Sequence, residues 1–263
     1  MFIRDKKNKL LQIDNYRILG QLGHGGFGRV YHVVDVRDTT KEYALKLLHN
    51  TLNVNRVTQQ LNVLKILNTS KYFLKVYLSK KVSSTLFILF EYVNSVNLEK
   101  MVEEEIFTQQ KASKVILNMC ESLEFLQHHE IIHGDVKAEN ILQKRDRFYL
   151  IDFDIVKTTV PSKTVHIQND DDFTAPEIYN GIQTYESDIY SLGCTLYYLL
   201  SGKHIYGFTK EEDFSQKMFA HLYIEPIVNT NISKKMFDLI VIMTKKNYKQ
   251  RASIQEIRGY LND

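Results

Sequence analysis

Ile132-His133-Gly134-Asp135-Val136-Lys137-Ala138-Glu139-Asn140 decides how this chain is read. It sets a carboxylate (Asp135), an ammonium (Lys137) and an amide (Asn140) in one short loop, closed by the apolar pair Ile141 and Leu142. Shortly after, Tyr149-Leu150-Ile151-Asp152-Phe153-Asp154 places a second carboxylate, Asp152, behind an apolar run. Two carboxylates and an amide suit a hard cation that keeps several waters. Each residue alone has a plainer explanation as a loop cap or turn former. Their joint order and spacing argue against coincidence.

The 263 residues suffice for one large domain or two lobes sharing a cleft, and 44% hydrophobic content supports a full core. Charged residues make up an ordinary 25%, which excludes global disorder. Cys120 and Cys194 both sit in apolar helical patterns and read as buried free thiols. Two cysteines supply too few ligands for a thiolate metal site. No apolar run approaches a membrane span and no secretory signal opens the chain, so the expected setting is cytoplasmic, in the source cell or a host. Charge is uneven. Residues 1–92 hold 15 Lys/Arg against 6 Asp/Glu, and residues 93–263 hold 19 against 25. The plain reading is two solvated surfaces of opposite sign; the sharper one is an acidic C-terminal surface that prefers basic substrates. No tight basic run points to nucleic acid.

Periodicity predicts strands over Tyr16–Leu22, Val30–Val36 and Tyr43–Leu48, then a helix over 54–67 with Val57, Leu61, Leu64 and Leu67 inward. Phe73–Leu78 and Leu86–Tyr92 read as further strands, and Asn94 to Asn97 as a polar hinge. Thr108 is placed to cap a helix reaching about His129, with Val115, Met119, Leu123 and Leu126 on its inner stripe. Ser187 to Leu200 reads as a buried core helix stopped by Gly202. Helical patterns near 210–221, 233–246 and 253–262 complete the chain.

Gly23-His24-Gly25-Gly26-Phe27-Gly28-Arg29-Val30 contains G-x-G-x-x-G-x-V. A dinucleotide fold would need a helix after the glycines. Here the β-branched and aromatic run Val30-Tyr31-His32-Val33-Val34 follows, so strand, glycines and strand form a hairpin over phosphates. Glycine lets backbone N–H groups approach phosphate oxygens with no Cβ in the way.

These stretches together resemble the protein kinase family, whose patterns read H-R-D-L-x-x-x-N and D-F-G. Ala44-Leu45-Lys46 resembles V-A-I-K, Ala175-Pro176-Glu177 matches A-P-E, and Asp188-Ile189-Tyr190-Ser191-Leu192-Gly193 resembles D-x-W-S-x-G. Arg251 stands where the arginine partner of Glu177 is expected, so the resemblance covers about residues 16–262. It implies an α+β, bilobal fold: an N-lobe over about 1–92 with an antiparallel sheet and one helix, a hinge at 93–97, and a mainly helical C-lobe over 98–263.

It also implies roles. Asp135 would accept the substrate hydroxyl proton, Lys137 would steady the γ-phosphate, and Asn140 and Asp152 would hold Mg²⁺, with Mn²⁺ as substitute. Lys46 would hold the α- and β-phosphates beneath Gly23, Gly25 and Gly28. Ala44 would pack on adenine, Val30 and Leu142 would join the nucleotide site, Phe90 would be a gatekeeper, and the backbone of Glu91 and Val93 would meet adenine. The implied reaction is transfer of the ATP γ-phosphate to Ser/Thr hydroxyls of a protein, since Lys137 two places after the base is the Ser/Thr pattern.

The departures bear on regulation and rate. Gln60 falls where the family carries the glutamate that pairs with the lysine, and no Glu lies between Lys46 and Glu91. The charge-assisted bond so replaced is worth about 1.5–3 kcal/mol. Gly134 removes the arginine that grips an activation-segment phosphate, so control through Thr158, Thr159, Ser162 or Thr164 loses a cation. Asp154 replaces glycine, costing backbone freedom and adding charge near the metal. Asn169-Asp170-Asp171-Asp172 stands where Gly-Thr is usual and would select basic residues around the target.

Two rivals remain. His133-Gly134-Asp135 and Ile151-Asp152-Phe153-Asp154 also resemble small-molecule phosphotransferases of the aminoglycoside and choline kinase type, which lack A-P-E and D-x-W-S-x-G. Gln60 and Asp154 favour a pseudokinase scaffold; retention of Lys46, Asp135, Asn140 and Asp152 argues against it.

Overall fold

Apolar-rich runs between Tyr16 and Glu91 pair into a single antiparallel sheet whose central strands are buried on both faces, at Leu45 to Leu48 and Leu86 to Leu89. The computed structural model describes residues 2–4, 10–25, 28–49, 54–82, 85–154, 156–158, 172–208 and 213–262. The chain forms two compact units, Met1–Asn94 and Ser95–Asp263.

The first unit holds β1 (Phe2–Arg4), β2 (Leu10–Ile13), β3 (Tyr16–Gly25), β4 (Gly28–Asp35), β5 (Asp38–His49), α1 (Val54–Leu67), β6 (Val76–Val82) and β7 (Thr85–Glu91). The strands run β1-β2-β3-β4-β5-β7-β6, antiparallel throughout. Ile13, Tyr31, Val33, Leu45, Leu47, Phe87 and Leu89 bury one face as a hydrophobic cluster. At roughly 1.5–3 kcal/mol per fully buried apolar side chain, this cluster contributes on the order of 10 kcal/mol or more to the unit before the entropy of ordering is counted. On α1 the buried positions are Val57, Gln60, Val63, Leu64 and Leu67, while Leu61 is half-buried. The stripe is thus rotated from the expected one, and it admits a glutamine.

The second unit is mainly helical: α2 (Leu98–Glu104), α3 (Gln109–His128), α4 (Tyr185–Ser201), α5 (Phe214–Tyr223), α6 (Lys234–Met243) and α7 (Ile254–Asn262). Short pairs β8 (Ile131–Ile132) with β11 (Lys157–Thr158), and β9 (Ile141–Lys144) with β10 (Arg147–Leu150), lie between α3 and α4 in sequence. Thr108 caps α3 as expected, its hydroxyl accepting from Lys111 N at 3.2 Å, and the stripe Val115, Met119, Leu123 and Leu126 is buried. Fourteen of the seventeen residues of α4 are buried, so this helix has no solvent face to speak of and serves as the core of the unit.

Several boundaries differ from the sequence reading. The run at Phe73 enters its strand only at Val76; Phe73 and Leu74 are buried but not extended into the ladder, and Asn68 Oδ1 accepts the Val76 N–H at 3.0 Å. Helix α2 and strands β1 and β2 were not anticipated. Phe90 is half-buried, where a core strand residue would be fully so. Cys120 and Cys194 are buried free thiols. No helix among the described residues is long and apolar enough to cross a membrane.

Candidate active site

The candidate residues fall into two groups, one in each unit. In the first unit, register decides which of them share a face. Val30 pairs with Lys46, and Lys46 with Ile88; His32 pairs with Ala44, and Ala44 with Phe90. Directly opposed residues in a ladder point to the same side, as do residues two apart. Val30, Ala44, Lys46 and Phe90 therefore lie together on the face opposite the hydrophobic cluster. Lys46 is 8% exposed and Gln60 5%, low values for a lysine and for a polar helix residue. The Glu91 N–H is taken by Lys75 O at 2.8 Å.

The glycines divide by cause. A Cβ on Gly28 would lie 2.0 Å from Leu47 O, so the approach of β5 alone demands glycine there. A Cβ on Gly23 would meet nothing within 4 Å, so the protein itself gives no steric reason for that glycine. Gly25 pairs with Gly28 at the hairpin end, while Gly26 and Phe27 lie outside the described residues.

In the second unit the loop after β8 is held by its own polar groups. Asn140 Nδ2 donates to Asp135 Oδ2 at 2.7 Å and to Asp135 O at 2.9 Å. Neither bond uses Oδ1, the side-chain atom able to ligate a cation. Lys137 Nζ lies 3.3 Å from Asp135 Oδ1 and 3.2 Å from Glu139 Oε2. Ile151 N donates to Asn140 O at 2.9 Å, which brings the chain leading into Asp152 alongside Asn140. Asp152 has φ 67°, a left-handed conformation that costs a non-glycine residue about 1 kcal/mol or more. Asp154 does not share it, so the carboxylate there carries none of the strain expected from replacing glycine. The 3-10 turn Ala138–Asn140 buries Asn140, Leu142 in β9 is half-buried, and Asn97 forms an isolated bridge to Leu142.

Two residues whose part was not assigned from sequence fix this loop. His133, 1% exposed, accepts the Asp135 N–H at Nδ1 (3.2 Å) and meets Ile151 O through Nε2 (3.1 Å). A carbonyl can only accept, so Nε2 carries the proton and the imidazole is neutral. The ring also stands edge-on to Phe153, with centroids 4.9 Å apart. Asp188 on α4, 3% exposed, accepts the His133 N–H at Oδ2 and the Gly134 N–H at Oδ1, both at 2.8 Å. Burial pushes its carboxyl up to about 7, the two N–H groups pull it down, and the Asp135 charge adds to the rise. Gly134 has φ 80°, where glycine is unstrained.

Beside the loop, burial pushes the Glu99 carboxyl up to about 7, with Glu139 and Glu103 reinforcing it. Downstream, Arg251 grips Glu177 with both terminal nitrogens at 2.6 Å, and Ser187 Oγ donates to Glu177 Oε1 at 2.7 Å. Arg251 also sits 4.8 Å from the Tyr190 ring centre. Among the described residues no group of three His, Cys, Asp or Glu could hold a metal alone. The donors present, the Asp152 carboxylate and the Asn140 amide oxygen, fit Mg²⁺, which takes few protein ligands and completes its shell with water and phosphate. Thr159, Ser162, Thr164, Asp170 and Asp171 lie outside the described residues.

The chain is 29% identical to a probable serine/threonine-protein kinase of Dictyostelium discoideum, over 98% of this chain and 25% of that protein. It is 28% identical to calcium-dependent protein kinase 25 of Arabidopsis thaliana, over 95% and 51%, and 25% identical to the serine/threonine-protein kinase PLK4 of Drosophila willistoni, over 93% and 32%. It thus spans between a quarter and about half the length of these relatives. The protein kinase domain family matches residues 16–260, which takes in both units and every candidate residue above, and the chain belongs to that family, with its bilobal α+β fold.

Proposed function

We propose that the chain is an active serine/threonine protein kinase that transfers the γ-phosphate of Mg-ATP to hydroxyls of a protein substrate. The observation that carries this reading is the joined state of Asp135, Lys137 and Asn140. One bond from Asn140 aims the Asp135 carboxylate and leaves the amide oxygen for a cation. Asp135 accepts the proton of the attacking hydroxyl as its oxygen bonds to the γ-phosphorus and the bond from that phosphorus to the bridging oxygen of the leaving ADP breaks. Lys137 offsets charge on the γ-phosphate oxygens. Asn140 and Asp152 would hold Mg²⁺, or Mn²⁺ with the same donor preference, and the cation would supply charge neutralisation at the phosphate oxygens. Lys46 holds the α- and β-phosphates under Gly23, Gly25 and Gly28. Val30, Ala44 and Leu142 pack on adenine. Since the Glu91 N–H is occupied, Glu91 contributes its carbonyl and Val93 its N–H. The buried thiols are in keeping with a reducing, cytoplasmic setting.

The test is phosphate transfer from labelled ATP with Mg²⁺ to itself or to a basic protein. Asp135→Asn should lower the rate by about 10²–10⁴-fold, the usual worth of general-base catalysis, while ATP still raises the melting temperature. A variant that labels as well as the parent removes Asp135 from the role. A second reading, a pseudokinase acting as a nucleotide-binding scaffold, draws on one observation: the buried α1 position carries Gln60 in place of a carboxylate.

A further inference from the structure

Asp172 is the described end of the acidic run, and its carboxylate does not face solvent. Oδ1 lies 2.9 Å from Lys217 Nζ on α5, and Oδ2 lies 3.2 Å from His204 Nε2 in the segment after α4. The Asp172 side chain is 16% exposed and that of Lys217 13%. Next in sequence, Phe173 stands edge-on to Tyr198 and His204, at 6.2 and 5.7 Å between centroids, and its carbonyl accepts from Ser191 Oγ at 2.8 Å. Ala175, Pro176 and Glu177 are then buried, with Glu177 gripped by Arg251. Charge, aromatic and backbone contacts thus fasten residues 172–177 within the second unit, to α4, α5 and Arg251.

We propose that Asp172, through Lys217 and His204, is a positioning residue that sets the segment on which the protein substrate lies. This rests on the kinase reading above. With Gly134 in place of an arginine, a phosphate in the preceding segment has lost one of its cations, and the Asp172 pair supplies a fixed internal anion in its stead. The carboxylate is then spent inside the protein, so Asp172 is not a selector of basic residues in the target.

The experiment is steady-state kinetics on the full chain with a Ser/Thr peptide from a substrate protein, with ATP-dependent thermal shift as control. Asp172→Asn should raise the peptide KM about tenfold, equal to about 1.4 kcal/mol, with kcat and the ATP KM within about twofold. Lys217→Met should do the same by removing the other partner. The exchanged pair, Asp172→Lys with Lys217→Asp, should recover most of the peptide KM, a rescue that loss of packing alone would not give. An unchanged peptide KM in both single variants, or no recovery in the exchanged pair, overturns the proposal. Absence of transfer to any peptide by the parent, with or without an ATP shift, instead defeats the kinase reading.

Discussion

Asp188 offers a test in which two physical effects compete at one carboxyl. Its oxygens accept the His133 and Gly134 N–H groups, which favours the ionised form, while burial favours the neutral form and pushes it up to about 7 from an ordinary 3.8. If burial wins, the native protein keeps a proton between pH 4 and 7 that the unfolded chain has released. Stability from this group is then fully present in acid and is lost as pH rises toward 7. The loss is at most about 1.4 kcal/mol per pH unit and on the order of 4 kcal/mol over the window. Asp188→Asn keeps the shape and removes the titration, but it turns an NH₂ toward one of the two N–H groups, costing about 1–3 kcal/mol for a buried donor without a partner. Urea unfolding from pH 4.5 to 8 should therefore find the variant less stable in acid, and the difference should shrink or reverse above pH 7. A difference constant across that range would refute the reasoning and mean that the N–H bonds keep the carboxylate ionised throughout.

Three further outcomes are expected. Tyr190→Phe removes a buried hydroxyl that meets Tyr206 OH and His221 Nδ1, both at 2.8 Å; with those two groups left without it, the variant should lose about 1–3 kcal/mol in denaturant unfolding, and a loss below about 0.5 would show that the ring repacks. Gly134→Arg, which restores the family residue, places a side chain at φ 80° and should cost about 1–2 kcal/mol; an unchanged melting temperature would mean that the backbone shifts freely. Gln60→Glu should raise the transfer rate several-fold, since a charge-assisted bond is worth about 1 kcal/mol more than a neutral one, and an equal or lower rate would show that Lys46 is held by other means.

The sequence made the large elements legible wherever a period ran long enough. Helices α1, α3 and α4 were found because 14 to 20 residues repeat a burial pattern or show none at all. Helix α2 escaped because seven residues with two buried positions, Leu98 and Val102, are too few for a period, although Asn97 carried a cap signal that its bond to Lys100 N realises at 3.0 Å. The start of β6 is not legible in the sequence because burial of Phe73 and Leu74 looks the same in a turn as in a strand. In the candidate site, Asp135, Lys137 and Asn140 could be read because their partners lie within five residues. Asp188 joins the loop across 54 and 55 positions, and Asp172 reaches α5, so their parts depend on tertiary packing that no local spacing encodes.

The departures from the family pattern can be weighed by asking what each leaves behind. A tyrosine in place of tryptophan at position 190 introduces a hydroxyl at 0% exposure, and an unpaired one would be costly. Tyr206 and His221 answer it, and Lys246 closes the set with bonds to Tyr206 OH and His221 O, both at 2.8 Å. Burial drives the Lys246 ammonium down to about 8 and His221 down to about 3, so the set is held by a neutral imidazole and a lysine close to losing its charge. Glycine at 134 likewise leaves an unstrained backbone, and its own N–H and that of His133 both reach Asp188. Gln60 stays buried on α1 and brings an amide where the family pattern has a carboxylate, so under the proposed kinase function its cost would be read in the transfer rate, which Gln60→Glu measures.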